Sequence, residues 1–398
     1  MSLSAAIEEP RSAPDTFRCG LALASVALFY TSLDIYAFVT YSTPPPIQWV
    51  VVFAACALAL VLFDPRRQVP LLTSALGYWL FFFFCLTTAW GIFAERIPEV
   101  VQELNDRYRS IACLVVFCVI FAGARARLVA VWAVVGGIVL ASALNVLEMA
   151  SLVTFSDALE RTPGRPAGLY FNPNNAALAI ALAVAVVVED IPRFWRLPLL
   201  LVGALGVSAT FSRGAMICLL CTYAWLVWRR QLGTWSFALT SLAGFVLFVY
   251  AIGYVQSHDL LTQNTAARLA LASDDSGRVE LAMKALNVFL DHPLLGNGLA
   301  TTATWDVDSM AHNLFLTLAA DHGVLGMLAF PALAIALIMS RRGSVSFALV
   351  LMLAGLFSHD LLKDRYILLL IALSATPPVL VGSPRRGDLP IGEEVLDA

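Results

Sequence analysis

The chain alternates between long apolar runs and short polar segments. A helix needs about 20 mostly apolar residues to cross a bilayer, and runs of this kind recur from end to end. They predict twelve membrane spans, at about 18–40, 47–63, 70–93, 108–123, 128–153, 174–189, 197–211, 214–228, 235–256, 312–340, 344–361 and 366–382. The run at 312–340 is long enough to contain a break near Gly323. The pattern predicts an all-α, polytopic integral membrane protein that forms a single membrane domain over residues 1–398.

Composition supports this class. Hydrophobic residues make up 60% of the chain and charged residues 13%, whereas a soluble domain carries about 25% charged residues. The first apolar segment is too long for a cleavable signal and lacks a small-residue cleavage site, so we expect it to stay as a membrane anchor. The formal net charge of −3 by itself says nothing about nucleic acid, and we expect no nucleic-acid partner.

The Lys and Arg residues assign a side to each polar segment. If the N-terminus is cytoplasmic, each of the seven cytoplasmic segments holds two of the 25 basic residues, as the positive-inside rule requires of short loops. These pairs are Arg11 and Arg18, Arg66 and Arg67, Arg125 and Arg127, Arg193 and Arg196, Arg229 and Arg230, Arg341 and Arg342, and Arg385 and Arg386. A single miscounted span would break this regularity, so it predicts that both termini are cytoplasmic.

The longest segment on the opposite side is the loop at 257–311. Within it, RVELAMKALNVFLDHPLLG has apolar residues at the spacing of an amphipathic helix that lies along the membrane surface. Pro293 and Gly296 end this helix. We therefore predict a short helical subdomain outside the cytoplasm, inserted between the ninth and tenth spans.

His312 and Asn313 follow this loop and begin the tenth span. A neutral imidazole at that position can take a proton at physiological pH, which makes His312 a candidate base. The alternative is an interfacial histidine that hydrogen-bonds a loop. Asn313 either orients the imidazole or caps the helix that begins beside it.

Arginines on the same side lie where positive charge is disfavoured. Arg213 occupies the tight turn SRG between the seventh and eighth spans, and at that depth it faces a cavity or a partner, or snorkels to lipid phosphate. Arg165 begins RPAGLYFNPNN, whose Asn-Pro-Asn is a turn and helix start. Arg161 and Asn174 are candidates for a supporting role near it.

Two further groups complete the candidate chemistry on this side. Arg278 lies in the first turn of the amphipathic helix, where it can help hold a ligand phosphate or pair with a carboxylate of SDDSGRVE. His359 and Asp360 are either an acid–base pair or an interfacial cap. Guanidinium groups suit bidentate phosphate binding, and we find no spacing of strong metal ligands. The residues predict a metal-free, cofactor-free transfer from a phosphate-activated donor.

Four motifs, in order, resemble the signature of bacterial O-antigen ligases and O-antigen polymerases. They are Arg165-x-x-Gly168 running into Asn-Pro-Asn, then Ser212-Arg213-Gly214, then Arg278 followed by a helix and HPLLGNGL, and last His312-Asn313 with nine residues before Gly323-Val324-Leu325-Gly326. Each motif alone is weak. Their order, and their common side of the membrane, is more specific.

The resemblance implies an all-helical, GT-C-type integral membrane glycosyltransferase of the bacterial inner membrane, with its active site at the periplasmic face. It implies a glycan donor on undecaprenyl pyrophosphate, a lipid A–core oligosaccharide acceptor, and inversion at the anomeric carbon without metal. His312 is then the base that deprotonates the acceptor, Arg213 and Arg278 bind the pyrophosphate, and Arg165 is a third candidate for that role.

Two other functions stay open. A repeat-unit polymerase of O-antigen or exopolysaccharide would use the same donor and the same motifs, with a second lipid-linked glycan as acceptor. A transporter of lipid-linked glycan is an alternative from another class. Transporters often contain internal repeats and charges near the midplane of the membrane, whereas here we find no repeat and the notable charges lie at one face.

Overall fold

The computed structural model describes residues 13–65, 71, 73–155, 165–233, 277–305, 311–340 and 345–376. Their secondary structure is helical, as the apolar pattern predicts. The α-helices are α1 (Ala13–Ser25), α2 (Leu33–Tyr41), α3 (Pro46–Phe63), α4 (Ala75–Phe93), α5 (Pro98–Phe121), α6 (Ala124–Met149), α7 (Pro173–Val187), α8 (Arg193–Ala209), α9 (Arg213–Trp228), α10 (Arg278–Asp291), α11 (Leu314–Ser340), α12 (Val345–Ala354) and α13 (Arg365–Ala375). A π-helical segment, Val26–Tyr30, continues α1, and a 3₁₀ turn, Gly168–Tyr170, precedes α7.

Helix α7 lies at the centre of the bundle. From Ala176 to Val187 each of its residues is buried, and α6, α8, α9, α12 and α13 surround it. Its sequence is mostly Ala and Val with few polar residues, so every face can be covered by a neighbouring helix. Asn172 caps it: the side-chain oxygen accepts a hydrogen bond from the backbone N–H of Asn174 at 2.9 Å.

By length and composition, four of the described helices, α3, α4, α6 and α11, could cross a membrane, and the length of α11 is counted across its break at Gly323. A fifth span is formed if the bent pair Ala13–Tyr30 and Leu33–Tyr41, which meet at 60°, counts as one. The described part of the chain is therefore all-helical and contains helices typical of a membrane protein, while the number twelve stays a prediction. The ninth predicted span, 235–256, lies outside the described residues.

Helix α11 contains the predicted break, and the break reverses the chain. Gly323 has φ 63° and ψ −147°, a left-handed conformation that favours glycine. The rings of Phe315 and Phe330 are 5.2 Å apart, although a straight helix would separate these residues by about 22 Å. Residues 314–322, hereafter the 314–322 arm, thus fold back against residues 324–340.

The predicted span 344–361 is much shorter in the structure. Helix α12 ends at Ala354, and its 10 residues rise only about 15 Å, half of a hydrocarbon core of about 30 Å. A non-helical segment follows at 355–364, hereafter the 355–364 turn, before α13 begins. It carries the polar residues Ser358, His359, Asp360, Lys363 and Asp364. Since a helix that stops halfway exposes backbone groups, this turn needs polar surroundings at that depth.

The segment that follows α10 packs against the break in α11. The backbone N–H of Val324 donates to the carbonyl of Pro293 at 2.8 Å. A Cβ on Gly323 would lie 2.5 Å from the carbonyl of Leu294, and a Cβ on Gly296 would lie 2.5 Å from that of Asp321. The glycines of HPLLGNGL and of GVLG therefore allow two backbones to approach closely. The structure has a helix where the amphipathic pattern predicts one, and it ends at Asp291, two residues before Pro293. Its position along the membrane surface stays a prediction.

Segments with the same predicted side meet at the same end of the bundle. At one end Arg18 donates to the carbonyl of Ala122 at 2.7 Å, and Arg196 donates to Gln231 at 2.7 Å. Arg18, Arg196 and Gln231 belong to segments predicted to be cytoplasmic, and Ala122 lies at the cytoplasmic end of the predicted span 108–123. The opposite end carries the start of α5, the break in α11, the start of α9 and the 355–364 turn.

Candidate functional site

The 355–364 turn brings together the elements that carry the predicted site. The backbone N–H of Leu314, at the start of the 314–322 arm, donates to the carbonyl of Gly355 at 2.8 Å. The start of α9 meets the turn on another side, because a Cβ on Gly214 would lie 3.0 Å from the ring of Phe357. The motifs containing His312 and Arg213 are thus neighbours in space.

His312 lies beside His359 of the turn. The two imidazole rings are 5.2 Å apart at 62°, and Nε2 of His359 lies 3.1 Å from Oδ2 of Asp360. Burial lowers the pKa of His312, and the positive charges of His359 and Arg278 lower it further, against an opposing effect of Asp360. At neutral pH the imidazole of His312 is therefore neutral and able to accept a proton.

Arg213 and Arg278 are both exposed at this end. Arg213 is the first residue of α9 and Arg278 the first residue of α10, so each side chain begins beside the free N–H groups of a helix N-terminus. Arg278 is close enough to His312 for its charge to lower the pKa of the imidazole. Arg278 thus lies near the half-buried His312, and Arg213 begins a helix that meets the 355–364 turn beside it.

Arg165 differs from these two arginines because it is buried. Its Nε and Nη2 donate to the carbonyl of Thr210 at 3.0 and 2.8 Å, and Nη2 also donates to Oδ1 of Asn174 at 3.3 Å. These contacts connect the start of α7 to the turn that leads into Arg213. Arg161 lies outside the described residues.

Asn313 acts as a helix cap. Its Oδ1 accepts a hydrogen bond from the backbone N–H of Leu316 at 3.1 Å, in the first turn of the 314–322 arm. Of the two roles that the sequence left open, the contact supports capping. The cap fixes where this arm begins, and His312 directly precedes it.

A buried ionic cluster lies beside the site, and the sequence analysis did not predict it. Arg107 contacts both Asp321 and His322 of the 314–322 arm, and Glu103 joins Arg107 to Lys363 of the turn. The signal was present in the sequence. Asp321 and His322 interrupt an apolar run, where ionisable groups usually have a partner or a function, and Glu103 and Arg107 have the i, i+4 spacing of a helical ion pair.

Comparison with known families supports the resemblance that the motifs predict. Residues 198–331 match the family model described as O-Antigen ligase, which covers the motifs from Arg213 to Gly326. The match confirms the predicted resemblance to the O-antigen ligase and polymerase superfamily, and with the apolar helices it indicates ligase-type or polymerase-type activity on glycans at a membrane. No curated protein matches the chain.

Proposed function

We propose that the protein transfers a glycan from undecaprenyl pyrophosphate to lipid A–core oligosaccharide at the periplasmic face of the inner membrane. Both termini are then cytoplasmic, and the end of the bundle that carries His312 faces the periplasm. The observation that carries the proposal is the position of the half-buried His312 beside His359, at the same end of the bundle as the exposed Arg213 and Arg278.

His312 is the general base of the proposed reaction. It takes the proton from an acceptor hydroxyl as the hydroxyl oxygen attacks the anomeric carbon of the donor glycan. The bond between that carbon and the pyrophosphate oxygen breaks at the same time, and the bonding electrons leave with the pyrophosphate. A single displacement of this kind inverts the configuration at the anomeric carbon, and the reacting groups need no metal.

Arg213 and Arg278 bind the pyrophosphate in this scheme. The leaving group gains negative charge as the bond breaks, and charged donors that are already in place stabilise such a transition state. Both guanidinium groups are exposed at helix N-termini, where an anion is favoured. Arg165, through Thr210, orients the turn that presents Arg213.

Reconstitution tests the proposal most directly. The purified protein in liposomes would receive a lipid-linked glycan donor, with lipid A–core and a second lipid-linked glycan as competing acceptors. We expect glycan on lipid A–core, and we expect His312→Ala to reduce its rate by about 10²–10⁴-fold, the usual worth of general-base catalysis. His292→Ala is the matched control, because His292 is an exposed histidine after α10.

The competing acceptors separate the candidate functions. Growth of glycan on the lipid carrier without transfer to lipid A–core would identify a polymerase and reject the ligase proposal. Full transfer by the His312→Ala variant would reject the catalytic role of His312. Movement of donor across the bilayer without any transfer would favour a transporter.

A further inference from the structure

Helix α5 contacts both elements that hold His312. One is the 314–322 arm, which begins two residues after His312, and the other is the 355–364 turn, whose His359 lies beside His312. Neither element neighbours α5 in sequence. The contacts come from two side chains one helical turn apart, Glu103 and Arg107, and both are buried.

Arg107 holds the far end of the 314–322 arm. Its Nη2 pairs with Oδ2 of Asp321, and its Nη1 contacts Nε2 of His322. Asp321 is oriented from its other oxygen, since Oδ1 accepts from the backbone N–H of Thr301 at 3.0 Å. The edge of His322 also meets the ring of Trp90 at 5.2 Å. The end of the arm is therefore fixed by several directional contacts.

Glu103 connects this cluster to the turn. Its Oε1 accepts from Nε of Arg107 at 2.8 Å, and its Oε2 accepts from Nζ of Lys363 at 2.6 Å. Lys363 lies 3.8 Å from Oδ1 of Asp360, and the other carboxylate oxygen of Asp360 meets His359. A continuous chain of polar contacts thus runs from the break in α11 to the imidazole beside His312.

We propose that Glu103 and Arg107 are positioning residues for the transfer reaction, and that they set the place of His312 by fixing the 314–322 arm and the 355–364 turn. Both residues precede the region that matches the family model, residues 198–331. The expected effect on kcat rests on the proposed function. The effect of these residues on the position of His312 does not.

The physical reason is that reaction rates depend steeply on position. A displacement of about 1 Å at reacting groups can cost on the order of 10²-fold in rate. His312 precedes an arm whose break at Gly323 separates it from the rest of α11, so the hydrogen bonds of one continuous helix do not hold it. Neighbouring segments must supply that order. Backbone hydrogen bonds do so in part, since Leu314 donates to Gly355 at 2.8 Å and Asn297 donates to Ala320 at 2.8 Å. The side chains of Glu103 and Arg107 add directional contacts at the far end of the arm and at the turn.

Lys363 offers the mildest test, since its side chain is 30% exposed. Lys363→Met keeps most of the length of the side chain and removes the contact to Glu103. In the reconstituted assay we expect kcat to fall at least about tenfold, with the KM for donor within about twofold because Arg213 and Arg278 are untouched. Lys363→Arg should restore most of kcat. Arg109→Met is the matched control, because it breaks the exposed Arg109–Asp106 pair of α5, the helix that also carries Glu103 and Arg107.

Chemical modification of His312 gives a second readout that needs no transfer. Diethyl pyrocarbonate reacts with neutral imidazoles, and mass spectrometry of the peptide containing His312 gives its rate. We expect that rate to change several-fold in Lys363→Met and to stay at the wild-type value in Arg109→Met. If the wild-type protein transfers no glycan but the modification rate changes as expected, the proposed function fails and the positioning role stands. An unchanged kcat and an unchanged modification rate in Lys363→Met would overturn the positioning role.

Discussion

Arg107 and Arg213 lie toward the same end of the bundle, in opposite surroundings. Arg107 is 4% exposed and contacts Glu103, Asp321 and His322. Arg213 is exposed at the first position of α9. A cation removed from water needs hydrogen-bond acceptors from the protein. The guanidinium of Arg107 is therefore occupied by these neighbours and does not bind a ligand. An exposed cation at a helix N-terminus can still bind an anion that arrives from outside. Both arginines lie in segments that the sequence predicts to be outside the cytoplasm. The fold buries one of them in an ion cluster and leaves the other exposed.

Asp321→Ala should cause the largest change in stability and thereby test the structural side of this comparison. The substitution removes a carboxylate from a buried guanidinium, and breaking a buried pair in this way costs about 3–5 kcal/mol. We expect a clear loss of unfolding free energy in detergent, measured by thermal or denaturant unfolding. Asp106→Ala is the control: it breaks a pair in which Arg109 is 55% exposed, so its cost should stay below about 1 kcal/mol. Equal effects of the two substitutions would contradict the distinction.

Gly323→Ala should cause the next largest loss of unfolding free energy. With φ 63° and ψ −147°, the residue has a backbone conformation that is almost exclusive to glycine and costs other residues about 1–3 kcal/mol. The close carbonyl of Leu294 adds an overpacking cost of about 1–3 kcal/mol. The expected sum is about 3 kcal/mol in the same unfolding measurement. Gly136→Ala, inside α6 with open space around the added Cβ, should be neutral or stabilising by up to about 1 kcal/mol. If the two variants unfold alike, the break does not depend on glycine.

The apolar pattern predicted the helical class, the amphipathic α10 and the break in α11, because each of these follows from local spacing. The motifs also marked, as candidates for the site, loops that the structure brings to the same end of the bundle. Periodicity does not show the half-length of α12, because its run VSFALVLMLAGLF stays apolar past Ala354. The helix ends where the 355–364 turn meets polar partners from distant segments.

The Arg107 cluster could not be predicted in full for a related reason. The Glu103–Arg107 spacing is visible in the sequence, but Asp321 and Lys363 follow more than 200 residues later. Only the reversal at Gly323 and the early end of α12 bring them to α5. The exposed arginines were easier to predict, because their positions in short turns required no long-range contact.

Arg213→Ala tests the ligand-binding side of the comparison. If Arg213 gives a charge-assisted hydrogen bond to pyrophosphate, its loss should cost about 1.5–3 kcal/mol of donor binding, or about 10–100-fold in affinity for a lipid-linked pyrophosphate. The free energy of unfolding should change by no more than about 0.5 kcal/mol, as it does for substitutions at other exposed sites. Arg230→Ala, just past the other end of the same helix and also exposed, should leave affinity unchanged. Donor affinity that survives both Arg213→Ala and Arg278→Ala would refute the pyrophosphate role.

The pH dependence of kcat tests the smallest effect, the influence of Arg278 on His312. A general base works in its neutral form, so kcat should rise with pH through the pKa of His312 and then level off. Burial, His359 and Arg278 all lower that pKa, so the midpoint should lie below the usual histidine value of about 6.5. Arg278→Ala removes one of these positive charges, and the midpoint should therefore move to higher pH. Lys284→Met, a loss of charge on the same helix, should leave the midpoint in place. A midpoint that stays fixed in Arg278→Ala, or moves to lower pH, would mean that the titrating group is not His312.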